Sequence, residues 1–171
     1  GGMVAQRYAL SYDRARSLAL ICTSPGGPDA VPTPESTLAR MFSVPDDADE
    51  REAIRYKMAP AVSDGFIEAH PDLIERIIDW RLESDAPPNA REAQAAAVQA
   101  FDASDDLGAV KVPTLVAHGT EDRVLPVENG ELLAERVPHA DAEFVDGGSH
   151  LFFIEESERV NDLLVEFLAD V

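Results

Sequence analysis

The chain carries two kinds of hydrophobic pattern. Near both ends, short apolar runs of strand length alternate with amphipathic stretches; between them lie about 75 residues whose pattern is helical only. Met3, Val4, Tyr8 and Leu10 fall on or near one face at helical spacing and predict an opening helix that ends at about Tyr12. Residues 16–23 then form a short, nearly all-apolar run, the pattern of a strand covered on both faces. Ser24-Pro25-Gly26-Gly27-Pro28 stops it. Helices are expected over Glu35–Phe42, Asp49–Met58, Ser63–Ala69, Pro71–Glu83 and Asn89–Phe101, with linkers at 43–50 and 84–89. The fourth has Pro71 in its first turn and an apolar stripe of Leu73, Ile74, Ile77, Ile78 and Leu82. After Lys111 strands return, at Val112–His118 and Ala142–Val145, each followed by a helix, Val127–Val137 and Glu156–Leu168. Alternating strands and helices predict an α/β fold with a parallel sheet, here with core segments 1–28 and 107–171 around an all-helical insertion at 29–106.

Charge narrows the partners. Of 171 residues, 33 are Asp or Glu and 14 are Lys or Arg, a formal net charge of −19. Such a surface repels nucleic acid and anionic membranes, so neither is expected as a partner. Only Lys57 and Lys111 are lysines. That shortage, with abundant Asp and Ala, resembles proteins of high-salt cytoplasms, where screening suppresses self-repulsion. Cys22 is the single cysteine, which rules out an internal disulfide and gives no sign of an oxidising compartment. The longest uninterrupted apolar run, Leu18 to Cys22, is too short for a membrane span. A cytoplasmic location is expected.

In a parallel sheet, functional side chains gather beyond the carboxyl ends of the strands. Asp122 and His150 both lie there, each a few residues past a predicted strand. A histidine oriented by a carboxylate acts as general base toward a hydroxyl and then as acid toward the leaving group. Taken singly, an Asp or a His after a strand is more often a cap or a loop hydrogen bond; the order Asp then His shifts that balance.

On these residues the sequence resembles the α/β-hydrolase fold superfamily, in particular its esterase and lactonase branch with a helical cap. His118-Gly119-Thr120-Glu121-Asp122-Arg123-Val124-Leu125-Pro126 is similar to that family's acid loop, and residues 147–161 to its histidine loop and last helix. Gly1-Gly2-Met3-Val4-Ala5-Gln6 resembles the residues just after the nucleophile in the elbow Gly-x-Ser-x-Gly-Gly. The resemblance implies that the chain is the C-terminal part of such a domain, with its serine two residues ahead of Gly1 and the preceding strands as the missing part of the same domain. An ordinary Gly-Gly scar before a start at Met3 is the other reading of these residues. The implied triad is that serine with Asp122 and His150, acting on a small-molecule ester or lactone with no cofactor. Alternatives are a dehalogenase or epoxide hydrolase with an aspartate nucleophile, and a non-catalytic binding protein on the same fold.

Serines within the chain fit the nucleophile poorly. Ser24 follows a strand, but Pro25 lacks the backbone N–H that the oxyanion hole requires. Ser149 reads as a turn residue, and Asp29, set among prolines, is the weaker alternative to Asp122 as the acid. His118 is expected to pack or hydrogen-bond locally, while His70 and His139 fall in a linker and a surface turn. No His, Cys or carboxylate spacing points to a metal site. Phe42, Phe66 and Trp80, with Met41 and Met58, are the insertion's candidates for an apolar substrate pocket, although packing within the insertion is the commoner role for each.

Overall fold

The computed structural model describes residues 1–84 and 86–170. Asp85, inside the expected linker at 84–89, lies outside the described residues.

Three parallel strands form the sheet, β1 (Leu18–Ile21), β2 (Thr114–Gly119) and β3 (Ala140–Val145), in the order β1-β2-β3. Leu18 pairs with Thr114, and Gly119 with Val145, so the carboxyl ends of β2 and β3 finish level with each other. All six residues of β2 are buried, as expected of a strand flanked by neighbours and covered on both faces. β3 begins two residues earlier than the hydrophobic pattern predicts, because its first half is an edge strand that carries exposed Asp141. Farther along β3, Glu143 forms an ion pair with Arg159 at 2.7 Å.

One face is covered by α1 (Gly2–Ser11) and α7 (Glu128–Arg136), around a core of Leu18, Leu20, Leu107, Val116, Leu133 and Val137. The other is covered by a short α8 (Phe152–Glu155) and α9 (Ser157–Ala169), around Cys22, Ala117, Val145, Phe152 and Val160. Burial of a Leu, Ile or Phe side chain contributes about 1.5–3 kcal/mol, so these two clusters hold the sheet between its helical layers.

Between β1 and β2 the chain leaves the sheet and runs through α2 (Glu35–Phe42), α3 (Glu50–Met58), a 3-10 turn (Ala59–Ala61), α4 (Phe66–Ala69), α5 (Pro71–Glu83) and α6 (Pro88–Gln99). Its own core is Met58, Val62, Phe66, Ile74, Ile77 and Ile78, so the predicted stripe on α5 faces inward. Leu151 and Ile154, from the segment after His150, pack on that cluster. The excursion closes where Gly26 and Asp102 form an antiparallel bridge. Gly26 has φ +68°, and a Cβ there would stand 2.1 Å from the Phe101 carbonyl oxygen, so the crossing requires glycine.

Among the described residues no helix is long and apolar enough to cross a membrane. Arg51, Arg123, Arg136 and Arg159 all bind carboxylates, as does Arg55 with Glu75. With 33 acidic groups against 14 basic ones, these pairs leave a large uncompensated negative charge. Raising KCl from 0.1 to 1 M shortens the screening length from about 10 to 3 Å. The thermal midpoint of the protein is therefore expected to rise, by roughly 2–4 °C for each kcal/mol of repulsion relieved. A flat or falling midpoint in a salt series would remove the high-salt reading of the composition.

Candidate active site

The level ends of β2 and β3 decide the geometry. Just past them the two loops meet backbone to backbone: Thr120 N–H donates to Val145 O (2.9 Å) and Glu121 N–H to Gly148 O (2.9 Å). This approach works because Gly119 and Gly148 lack side chains. A Cβ on Gly119 would sit 2.2 Å from Gly148 O and 2.6 Å from Ser149 O.

Asp122 and His150 are thereby brought together. His150 Nδ1 lies 2.8 Å from Asp122 Oδ2. The Asp122 side chain is fully buried, whereas that of His150 retains 23% exposure. Asp122 Oδ1 accepts from the Val124 and Leu125 amides, both at 2.8 Å, and Oδ2 has His118 Nε2 at 3.1 Å as a second neighbour. Burial alone would raise the carboxyl's pKa, but hydrogen bonds from His118 and His150, the charge of His150 and the Leu125 amide outweigh it and hold Asp122 well below the usual carboxylate range. The ionised carboxylate fixes the proton of His150 on Nδ1 and leaves the Nε2 lone pair available as a base.

Cys22 directly follows β1 beside this pair, with φ +45°, a backbone conformation unusual for a residue other than glycine. Burial pushes its thiol pKa strongly up, and the Asp122 charge adds to that against a hydrogen bond with the Gly119 backbone. It is a protonated packing group and not a nucleophile. Cys22, His118 and Asp122 place three potential ligand atoms within 4.8 Å of one another. That donor set does not fit a cation: both carboxylate oxygens accept N–H groups, His118 Nε2 faces two acceptors, and the thiol holds its proton.

Gly2 presses α1 against the end of β1, where a Cβ would come 2.3 Å from Thr23 Oγ1. The first turn of α1 therefore lies at the carboxyl edge of the sheet, the approach expected of an elbow helix. Ser24 is buried, donates to Asn129 Oδ1 (3.1 Å) and accepts from Gly26 N–H (3.1 Å). Ser149 donates to Glu155 Oε2 (3.0 Å) and accepts from Leu151 N–H (3.1 Å), a turn role. Asp29 pairs with Arg136 at 2.5 Å.

The three residues expected to line a pocket all come from the helical excursion, Phe42 from α2, Phe66 from α4 and Trp80 from α5. Phe42 is 79% and Trp80 54% exposed, with Arg76 stacked over the indole. Phe66 is buried in the core of the helical excursion, its ring against His70. The turn at 59–64 instead meets both functional loops. Arg123 donates to Asp64 Oδ1 (2.8 Å) and Val62 O (2.5 Å), Leu151 N–H to Ala61 O (2.8 Å), and Ser63 N–H to Glu155 Oε1 (2.7 Å). An open cavity of about 350 Å³ adjoins that turn, lined among others by Thr37, Arg40, Ser63 and Arg123. No periodicity in the sequence signals these contacts, because they join single loop residues about 60 to 90 positions apart.

A model of the alpha/beta hydrolase family matches residues 1–163. The chain is 30% identical over 169 residues to a poly(3-hydroxyalkanoate) depolymerase of Ectopseudomonas oleovorans, covering 98% of this chain and 58% of that protein. Among solved structures it is similar to a thermophilic esterase from Thermogutta terrifontis (28% identity, TM-score 0.73, 99% of this chain and 61% of that one). It shares its fold with the enol-lactonase from Burkholderia xenovorans LB400 (24% identity, TM-score 0.78, 98% and 62%). The chain thus spans about three-fifths of the length of these relatives.

Proposed function

The chain belongs to the alpha/beta hydrolase family, and from that premise we propose that the protein it is part of is a serine hydrolase cleaving a small carboxylic ester or lactone. The observation that carries this reading is the 2.8 Å contact between His150 Nδ1 and a buried, ionised Asp122, which directs the basic Nε2 outward. On this reading the nucleophile is a serine two positions ahead of Gly1, which the resemblance of residues 1–6 to the stretch after an elbow nucleophile supports. Its hydroxyl attacks the carbonyl carbon while His150 Nε2 takes the proton; His150 returns that proton to the leaving alcohol as the acyl-enzyme forms. Water, deprotonated by the same Nε2, then releases the acid. Asp122 keeps His150 in the required tautomer and stabilises its transient charge.

The seat of α1 against Thr23 supports an elbow there, with the helix N-terminus adding a positive field toward the oxyanion. The likeness to an esterase and to a poly(3-hydroxyalkanoate) depolymerase supports acyl chemistry over the aspartate-nucleophile alternative. Partners on this reading are the small substrate and the rest of the same domain, in a cytoplasmic protein that needs no cofactor.

The test compares this chain with a version extended through the elbow, using p-nitrophenyl acetate. Turnover is expected from the extended protein only, abolished by His150→Ala. Turnover by the short chain that depends on His150 would overturn the assignment of the nucleophile, and an aspartate at the elbow position would replace ester cleavage with the alternative chemistry.

A further inference from the structure

His118 sits at the end of the central strand, with its side chain 1% exposed. Its Nε2 is 2.8 Å from Leu125 O and 3.1 Å from Asp122 Oδ2. A carbonyl and a carboxylate oxygen both accept, so Nε2 carries a hydrogen and shares it between them. Nδ1, in contrast, is buried with no hydrogen-bond partner among the described residues, and the Gly130 backbone of α7 closes over it: a Cβ there would come 2.6 Å from Nδ1. An imidazolium at this place would bury an unpaired N–H, which costs more than burying an unpaired lone pair next to glycine. His118 is therefore the neutral Nε2–H tautomer. Asp122 Oδ2 consequently holds two imidazoles, one partly exposed and movable and one locked in the sheet.

We propose that His118 is a positioning residue that sets the basicity of His150 through their shared oxygen, Asp122 Oδ2. The inference rests on the reading of His150 as the general base. With Oδ1 fixed by two backbone amides, the His118 N–H removes the carboxylate's remaining rotational freedom. It also withdraws electron density from Oδ2, so the carboxylate supports a positive charge on the facing imidazole less than it would alone. The titratable groups facing Asp122 are His118 from β2, His150 from the loop after β3 and Cys22 from just past β1; Arg123 is engaged by Asp64.

Two substitutions in the full-length enzyme test this. Gln places an amide nitrogen near the position of Nε2, whereas Met fills similar volume without a donor. His118→Met is expected to move the acid limb of the kcat/KM profile up by about one pH unit and to lower kcat roughly tenfold. His118→Gln should restore the limb to near the wild-type position. A Met variant whose stability or kcat drops while its acid limb stays in place would reduce His118 to a packing role and overturn the proposal. Should the Met variant not fold, nitrogen NMR of the wild type decides. His118 should remain the neutral Nε2–H tautomer while its ring resonances follow the titration of His150; a proton on Nδ1, or no response, overturns it. A His150→Ala enzyme that kept its activity would sink the hydrolase reading, but the NMR result would still report on the shared oxygen.

Discussion

On the serine-hydrolase reading, Asp122→Asn in a version extended through the elbow is expected to lower kcat about 10⁴-fold and to destabilise the fold by roughly 2–4 kcal/mol. Both effects come from one count. Four N–H groups converge on the carboxylate: two backbone amides on Oδ1 and two imidazoles on Oδ2. An asparagine offers one acceptor oxygen, so either the amide pair or the imidazole pair must face an NH₂ group. If the oxygen takes the backbone pair, His150 relieves the clash by moving its proton to Nε2, which turns the intended base into a donor. If it takes the imidazoles, the acid loop loses its anchors at Val124 and Leu125. Steady-state kinetics and chemical denaturation separate the two outcomes, and an Asn variant within tenfold of wild-type kcat would show that Asp122 does not orient the base.

The same substitution has a pH signature. The pKa of Asp122 is depressed in the folded protein, so its contribution to stability is fully present above the ordinary carboxylate value near 4 and fades as pH falls toward the depressed folded value. The wild type should lose stability on acidification below about pH 4 more steeply than the Asn variant, whose side chain does not titrate there.

Much of this was legible in the residues. The bounds of α5 coincide with the amphipathic pattern because its apolar stripe buries in the core of the helical excursion, and those of α2 coincide although Thr37 is the residue it buries. Asp122 and His150 were legible because a parallel sheet delivers its strand ends to one edge. α8 was not, since four residues hold barely one helical turn and give no period to read. Residue type alone does not say which surface buries a large apolar side chain: among the described residues Phe42 and Trp80 are exposed, whereas Phe66 is buried. The shared oxygen under His118 was also beyond sequence, because a buried histidine at a strand end is compatible with many local partners.

Gly119→Ala is expected to cut kcat/KM about 100-fold and to cost roughly 2–3 kcal/mol, although it adds one methyl group and changes no polar atom. The three nearest obstacles to that methyl are Gly148 O at 2.2 Å, Gly148 C at 2.4 Å and Ser149 O at 2.6 Å, all backbone, so no side chain can swing aside. Either β2 or the loop carrying His150 must retreat by about 1 Å, and a misplacement of that size alone is worth about two orders of magnitude in rate. The loop resists, because Glu121 N–H, Ala61 O and the Glu155 carboxylate each bond to it or to its neighbouring residues. The strain therefore appears in stability as well as in rate. Gly108→Ala is the matched control: a Cβ there meets nothing within 4 Å, so that variant should be neutral, or stabilised by up to about 1 kcal/mol through the unfolded chain. If Gly119→Ala tracked Gly108→Ala in both rate and stability, the close approach of the two loops would not be what holds His150 on Asp122.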